Sequence, residues 1–337
     1  MKKRRKSTKK ETIVKAAAFL LVFLAVAVLL LNIEKIISLF DKTENNISEE
    51  MEYSDGRTVF INGKPYVPKD SITSMLLMCL DTEGKIEDSK SYKNTVQNDF
   101  LMLFVVNAHE QNYSIVQINR DTMTDIRVLD IKGEDAGSVY EQIALAHTQG
   151  NGLEESCENT VKAVSDLLYG VRIPNYVAVT MSAVAPINDY FGGIDVLVEE
   201  DMTMIDPALV KGQTVHLEGD MALNYVRARG GLEDSTNITR MSRHRTYIDA
   251  LIEKAKEYED TSDLMAKVFD KASPYMLSNV NLNDMKKISD SIGEYTFKGI
   301  ITPEGKSVVG EKYMEFYADN DSIKDIVTEL FYDPAIY

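Results

Sequence analysis

Asn98–Thr122 reads NDFLMLFVVNAHEQNYSIVQINRDT. It holds an apolar run, Phe100–Val106, and an alternating segment, Tyr113–Ile118, both of strand length and bounded by polar residues. Met75–Leu80 is a second apolar run of similar length. Strands with little polar face suit the middle of a sheet that is covered on both sides. Helical patterns follow at about 139–148, 153–168, 182–190, 219–226, 239–259, 262–271, 282–291 and 322–331, with further strands near 176–180, 195–198 and 296–301. The mixture predicts an α/β domain: an α-β-α sandwich with a central mixed β-sheet and helices on both faces. Asn62-Gly63, between Thr58–Phe60 and Lys64–Val67, predicts a small hairpin ahead of it.

Outward from this domain the N-terminus changes character. Lys2, Lys3, Arg4, Arg5, Lys6, Lys9 and Lys10 precede a run from Ala16 to Leu31 that is apolar throughout, with Ile13 and Val14 extending it past Lys15. That is long enough to span a bilayer if Lys15 snorkels to the interface. The positive-inside rule then keeps the tail in the cytoplasm and puts the rest of the chain outside. A cleaved signal peptide is the rival, but Asn32-Ile33-Glu34-Lys35 offers no small-x-small cleavage site. The expected order is a basic tail (1–12), one N-terminal transmembrane helix (13–33), an acidic stalk (34–57), a domain carrying the chemistry (58–260) and a C-terminal extension packed on it (261–337).

Composition narrows the function. The chain has 337 residues, 44% hydrophobic and 27% charged, which excludes disorder. Its net charge of −16 divides unevenly, because residues 34–337 alone carry −23. An exterior so acidic disfavours nucleic acid as a partner. Cys79 and Cys157 are too few for a disulfide scaffold and read as buried thiols, although an exterior location permits a bridge. The four histidines share no spacing that suggests a zinc site.

Two groups of residues carry chemistry. At the ends of the apolar strands stand Asp81, Asp99 and the pair Arg120-Asp121, the usual location of a site on an open sheet; Asp81 and Asp121 equally suit turns or caps. The second group is Arg227, Arg229, Arg240, Arg243 and Arg245, five of the nine arginines in residues 34–337. Arg240 and Arg243 are i,i+3 and should share a helix face, a pair of forks suited to phosphate oxygens. Arg245 is expected to form a surface pair with Glu233, Asp234 or Asp249. Carboxylates beside clustered arginines suggest a hard divalent cation bridging Asp side chains and a pyrophosphate. Met181, Met202, Met204, Val177 and Val179 read as core, though a lipid groove uses the same residue types.

Taken in order, the motifs NDFLML (98–103), QINRDT (117–122), ALAHT (144–148), YFGGIDV (190–196), LEGDMALNYVRAR (217–229) and RMSR (240–243) resemble the LytR-CpsA-Psr (LCP) family over roughly residues 72–258. The resemblance implies a phosphotransferase that moves a glycopolymer, such as a teichoic acid or capsular polysaccharide, from undecaprenyl pyrophosphate to peptidoglycan, with a groove for the polyprenyl chain and Mg²⁺ (or Mn²⁺) as cofactor. It implies that Asp81 and Asp99 hold the cation, that Asp99 with Arg120 and Asp121 is catalytic, and that Arg227, Arg229, Arg240 and Arg243 bind the pyrophosphate.

The chain departs from the family pattern at five positions. Glu83 and Gln97 stand where many members have Arg, Gln142 where Lys is common, Asn237 where Asp is usual and His244 where Gln is usual; Asp234 is a candidate replacement carboxylate. These departures keep three alternatives in view: a non-catalytic binder of lipid pyrophosphates or wall polymers, a lipid pyrophosphatase, and, ranked last, a transcriptional attenuator, for which a tail of a dozen residues offers no DNA-reading element.

Overall fold

A computed structural model of the chain describes residues 52–53, 58–61, 63–229, 236–255, 257–258, 261–280 and 295–335. The expected transmembrane segment 13–33, most of the stalk, Asp234 and the helix at 282–291 lie outside them. Among the described residues no helix is long and apolar enough to cross a membrane.

The three segments form β1 (Ile72–Leu80), β2 (Asn98–Asn107) and β3 (Asn112–Ile118), paired antiparallel in that order. After α1 (Glu154–Leu167), β4 (Asn175–Thr180) runs parallel to β1. Four helices come next: α2 (Val184–Tyr190), α3 (Asp220–Arg227), α4 (Asn237–Ala255) and α5 (Thr261–Ala272). Both edges of the sheet come from late in the chain. β5 (Met276–Ser278) pairs antiparallel with β4, and β6 (Thr296–Ile301) pairs parallel with β3, giving the order β5-β4-β1-β2-β3-β6. α6 (Asn320–Phe331) follows, its N-terminus capped by Asp319, whose Oδ1 accepts from the Asp321 amide at 2.8 Å.

Alternate residues of the central strands enter two separate cores. Met75, Met102, Phe104 and Val106 pack with α2 to α5, while Leu76, Met78, Leu101, Leu103 and Val105 pack with α1 and α6. This is the physical reason for wholly apolar strands, since each face needs its own helix layer. The mixed α/β sandwich expected from sequence is present.

Two expectations need correction. Residues 139–148 do not form one helix. Asp135–Gln142 is a strand paired antiparallel with Met123–Leu129, and only Ile143–Thr148 is helical, as a 3₁₀ turn; cross-strand pairing of Val139 with Ile126 overrides the helical period. Met204 is 84% exposed and not core. The strand at Ile194–Leu197 belongs to a small hairpin with Thr214–Leu217 outside the main sheet. Gly193 makes that hairpin possible, for at φ +81° a Cβ would stand 2.8 Å from the Leu217 carbonyl oxygen. The hairpin expected around Gly63 forms, and its second arm, Lys64–Pro68, also pairs with Tyr332–Pro334.

Candidate active site

Because β1 and β3 run opposite to β2, the end of β1, the start of β2 and the end of β3 meet at one edge of the sheet. The Asp81 amide donates to the Gln97 carbonyl at 2.9 Å, locking two of these ends together. Asp99 in β2 is the hub and is 2% exposed. Its Oδ1 accepts from Arg120 and, at 2.8 Å, from Arg240 in the first turn of α4. Burial pushes the Asp99 carboxyl upward, but Arg240 and Arg120 outweigh it and hold the group below the usual carboxylate range.

Asp121 takes a forked pair of hydrogen bonds from Arg229, at 2.6 Å and 3.4 Å. Arg227, the last residue of α3, reaches Asp81 at 3.1 Å and Glu83 at 3.0 Å. Those last pairs are half exposed and contribute little to stability. Four guanidiniums thus face four carboxylates, and the cluster is close to neutral as it stands. Arg240 Nη2 and Arg120 Nε are buried with no hydrogen-bond acceptor, the latter 3.9 Å from Asp121 Oδ1.

Four of the five departures from the family pattern are wired into this centre. Gln97 accepts from Arg120 at 2.6 Å. Gln142 donates to Asp121 at 3.1 Å and to the Met314 carbonyl at 2.6 Å. Asn237 accepts from Arg240 Nε at 2.8 Å and donates to Asn119 at 3.0 Å. Glu83 shares Arg227 with Asp81. Sequence reasoning marked these residues only as substitutions; it did not single out Asn119, whose Oδ1 also accepts from the Asp121 amide at 3.0 Å.

The arginines that looked alike in sequence separate in space. Arg120, Arg227, Arg229 and Arg240 surround Asp81, Asp99 and Asp121, and Arg243 does not join them. It is 2% exposed and bonds the Tyr225 and Ala228 carbonyls and Glu200, tying α4 to the C-terminus of α3. Arg245 donates to Gln117 and Thr302 and not to Asp249; the other partners expected for it, Glu233 and Asp234, lie outside the described residues.

A groove of about 140 Å³ begins one residue from this centre. Cys79, two before Asp81, and Phe100, directly after Asp99, line it with Val177, Val179 and Met181 of the β4 side and with Ile187, Tyr247 and Leu251 from helices. Three residues read as core, Val177, Val179 and Met181, therefore line a groove. Cys79 is half-buried here and approaches Met181 Sδ at 3.7 Å, while Cys157 is buried near His147; both thiols are free. His244, one turn beyond Arg240, also lines the groove. Its Nε2 donates to the Val226 carbonyl at 2.9 Å and its ring meets Phe100 edge-on at 4.9 Å. Burial, seconded by Arg240, lowers its pKa to about 3, so the imidazole is neutral.

Fold and site together set a cluster of arginines and carboxylates beside an apolar groove. The chain belongs to the LytR_cpsA_psr family, whose sequence model matches residues 33–331. Among similar proteins, the polyisoprenyl-teichoic acid–peptidoglycan teichoic acid transferase TagU of Bacillus mycoides (strain KBAB4) is 30% identical over 197 residues, 58% of this chain and 57% of that protein. TagU of Bacillus cereus (strain AH820) is 28% identical over 205 residues, 60% of each chain. These matches thus span less than two thirds of the relatives' length. In fold the chain is similar to TagT bound to LI-WTA (TM-score 0.57, 21% identity, 77% of this chain and 90% of that one) and to Bacillus subtilis TagV (TM-score 0.58, 21% identity, 77% and 97%).

Proposed function

We propose that this protein is a membrane-anchored, extracytoplasmic phosphotransferase that attaches an undecaprenyl-pyrophosphate-linked glycopolymer, a teichoic acid or capsular polysaccharide, to peptidoglycan. The observation that carries the proposal is the continuity of groove and centre along β1 and β2: Cys79 in β1 and Phe100 in β2 line the groove, while Asp81, just past the end of β1, and Asp99 in β2 belong to the centre. A polyprenyl chain joined to two phosphates has that same juxtaposition of apolar and anionic parts. Residues 13–33 supply the anchor in this reading, with residues 1–12 in the cytoplasm.

In the transfer, an acceptor sugar hydroxyl oxygen forms a bond to the phosphorus carrying the glycopolymer. The bond from that phosphorus to the bridging oxygen breaks, and polyprenyl phosphate leaves with the electron pair. Arg120, Arg227, Arg229 and Arg240 offset charge on the phosphoryl oxygens. Asp99, ionised throughout the neutral range, receives the hydroxyl proton; a loose transition state asks little of the base. The donor set fits Mg²⁺ in kind, since that ion is commonly held by one or two carboxylates together with substrate phosphates and water. Among the described residues no three acidic, His or Cys side chains gather into a cage, so Asp81 and Asp99 would hold the ion jointly with the donor. When bound it would neutralise phosphate charge, which suits a centre whose own charges already cancel.

The test is transfer by the full chain in detergent, from an undecaprenyl-pyrophosphate oligosaccharide to a peptidoglycan oligosaccharide, with Mg²⁺ and with chelator. Chelation is expected to abolish transfer, and Arg227→Ala to lower kcat/KM by about 10²-fold, the cost of one charge-stabilising donor. Tight donor binding with no transfer would favour a binding protein; release of inorganic or sugar phosphate without acceptor would favour a pyrophosphatase.

A further inference from the structure

The fifth arginine of the cluster points to a second site. Arg245 Nη1 donates to Gln117 Oε1 at 2.8 Å and Thr302 Oγ1 at 3.4 Å, in a cleft of about 600 Å³ between α4 and the hairpin formed by Gly305–Val309 and Met314–Ala318. Asn119, Glu304, Lys306 and Tyr317 also line it. None of its lining residues is shared with the apolar groove. α4 divides the two: Ile238, Met241 and Arg245 face the cleft, and His244, Tyr247, Ile248 and Leu251 face the groove.

The cleft is joined to the centre through Asp121. Its amide donates to Asn119 Oδ1 at 3.0 Å, and its carbonyl accepts from the amide of Phe316, another wall residue, at 2.8 Å. A reaction with two substrates needs two approaches to the same atoms, and the groove accounts for one of them. The lining of the cleft is unlike the groove's, with both signs of charge, a threonine hydroxyl and an aromatic ring. Tyr317 is 42% exposed, and its hydroxyl donates to Glu315 at 2.7 Å, which braces the ring. Such a lining suits a sugar, whose C–H face stacks on an aromatic ring while its hydroxyls meet charged and polar side chains. The size lies in the range of pockets that hold small ligands.

We propose that this cleft binds the acceptor, a saccharide chain with free hydroxyls such as the glycan strand of peptidoglycan, and presents it to the centre beside Asp121. The proposal rests on the transferase reading. A cleft of similar size, about 580 Å³, is lined by Tyr92, Ile131 and Asn151 but by no residue of the centre, and serves as the control.

The experiment measures acceptor KM and donor Kd for the full chain and for Tyr317→Ala, Arg245→Ala and Tyr92→Ala, beside direct calorimetric binding of a peptidoglycan tetrasaccharide. Tyr317→Ala truncates a half-exposed ring and so tests the cleft even if Arg245→Ala unfolds the protein. The expected result is a rise in acceptor KM of about tenfold or more for the first two, as for one or two lost polar or stacking contacts, with donor Kd and the Tyr92→Ala variant unmoved. An acceptor KM that ignores Tyr317, or one that follows Tyr92, overturns the proposal. If the wild type transfers nothing, tetrasaccharide binding that is lost in Tyr317→Ala sustains the cleft while the transferase reading fails; binding that is absent, or present and indifferent to Tyr317, overturns the cleft.

Discussion

Asp99→Ala is expected to abolish transfer and to destabilise the fold by about 3–5 kcal/mol, the usual cost of removing one partner from a buried ion pair. Arg120 and Arg240 are 8% and 3% exposed, and without the carboxylate they would face each other as unpaired buried charges. Asp99→Asn keeps the shape and should lose less. If the loss is electrostatic, Arg240→Gln made in the Asp99→Asn background should restore part of the stability, because neighbouring sites couple. Urea unfolding of the four proteins checks this. Additive losses would mean that Asp99 acts on each arginine separately and is not the hub.

The second large effect is loss of stability in mild acid. His147 and His244 are held neutral by burial, which lowers their pKa values to about 4 and about 3. The unfolded chain takes up these protons near the ordinary histidine value of about 6.5. Both shifts are downward, so the stability they contribute is complete above that value and falls with pH until the folded-state values are reached. At about 1.36 kcal/mol per unit, the pair should cost on the order of 5 kcal/mol between pH 7 and pH 4.5. Asp99, also shifted downward, adds its loss only below the ordinary carboxylate range. Urea midpoints across this interval measure the slope. His244→Gln, which restores the usual residue of the family, should remove about half of it; an unchanged slope would show that His244 is not the titrating group.

The parts of this molecule that were legible in its sequence are those decided by short-range pattern. The apolar runs of β1 and β2 have no other destination than the middle of a two-faced sheet, and charged residues at their ends and at the end of β3 fall together once the strands pair. Arg243 was misplaced by its spacing. Three residues turn a helix by about 300°, which leaves Arg243 about 60° short of the direction of Arg240 and just under one turn further along, enough to exchange Asp99 for the free carbonyls at the end of α3. Gln97 and Gln142 could not be recognised as partners of charged groups because their contacts with Arg120 and Asp121 join segments more than twenty residues apart; Asn237 lies only three residues from Arg240 on the same helix, but that spacing alone does not select a side-chain bond. The three-residue edge strand Met276–Ser278 is too short to leave a pattern, and Asp135–Gln142 became a strand through its pairing alone.

Lys69 Nζ donates to the Glu329 carbonyl across 260 residues, and Tyr332–Pro334 lies against Lys64–Pro68. With β5 and β6 closing opposite edges of the sheet, both of its edges are supplied by residues after 275. A chain emerging N-terminus first therefore displays two bare strand edges, those of β4 and β3, until residues 276–301 have been made. Contacts so remote in sequence also slow folding. The growing polypeptide is thus a natural client for a holding chaperone, and a truncation that spares every arginine and aspartate of the centre would still leave a sheet primed to aggregate.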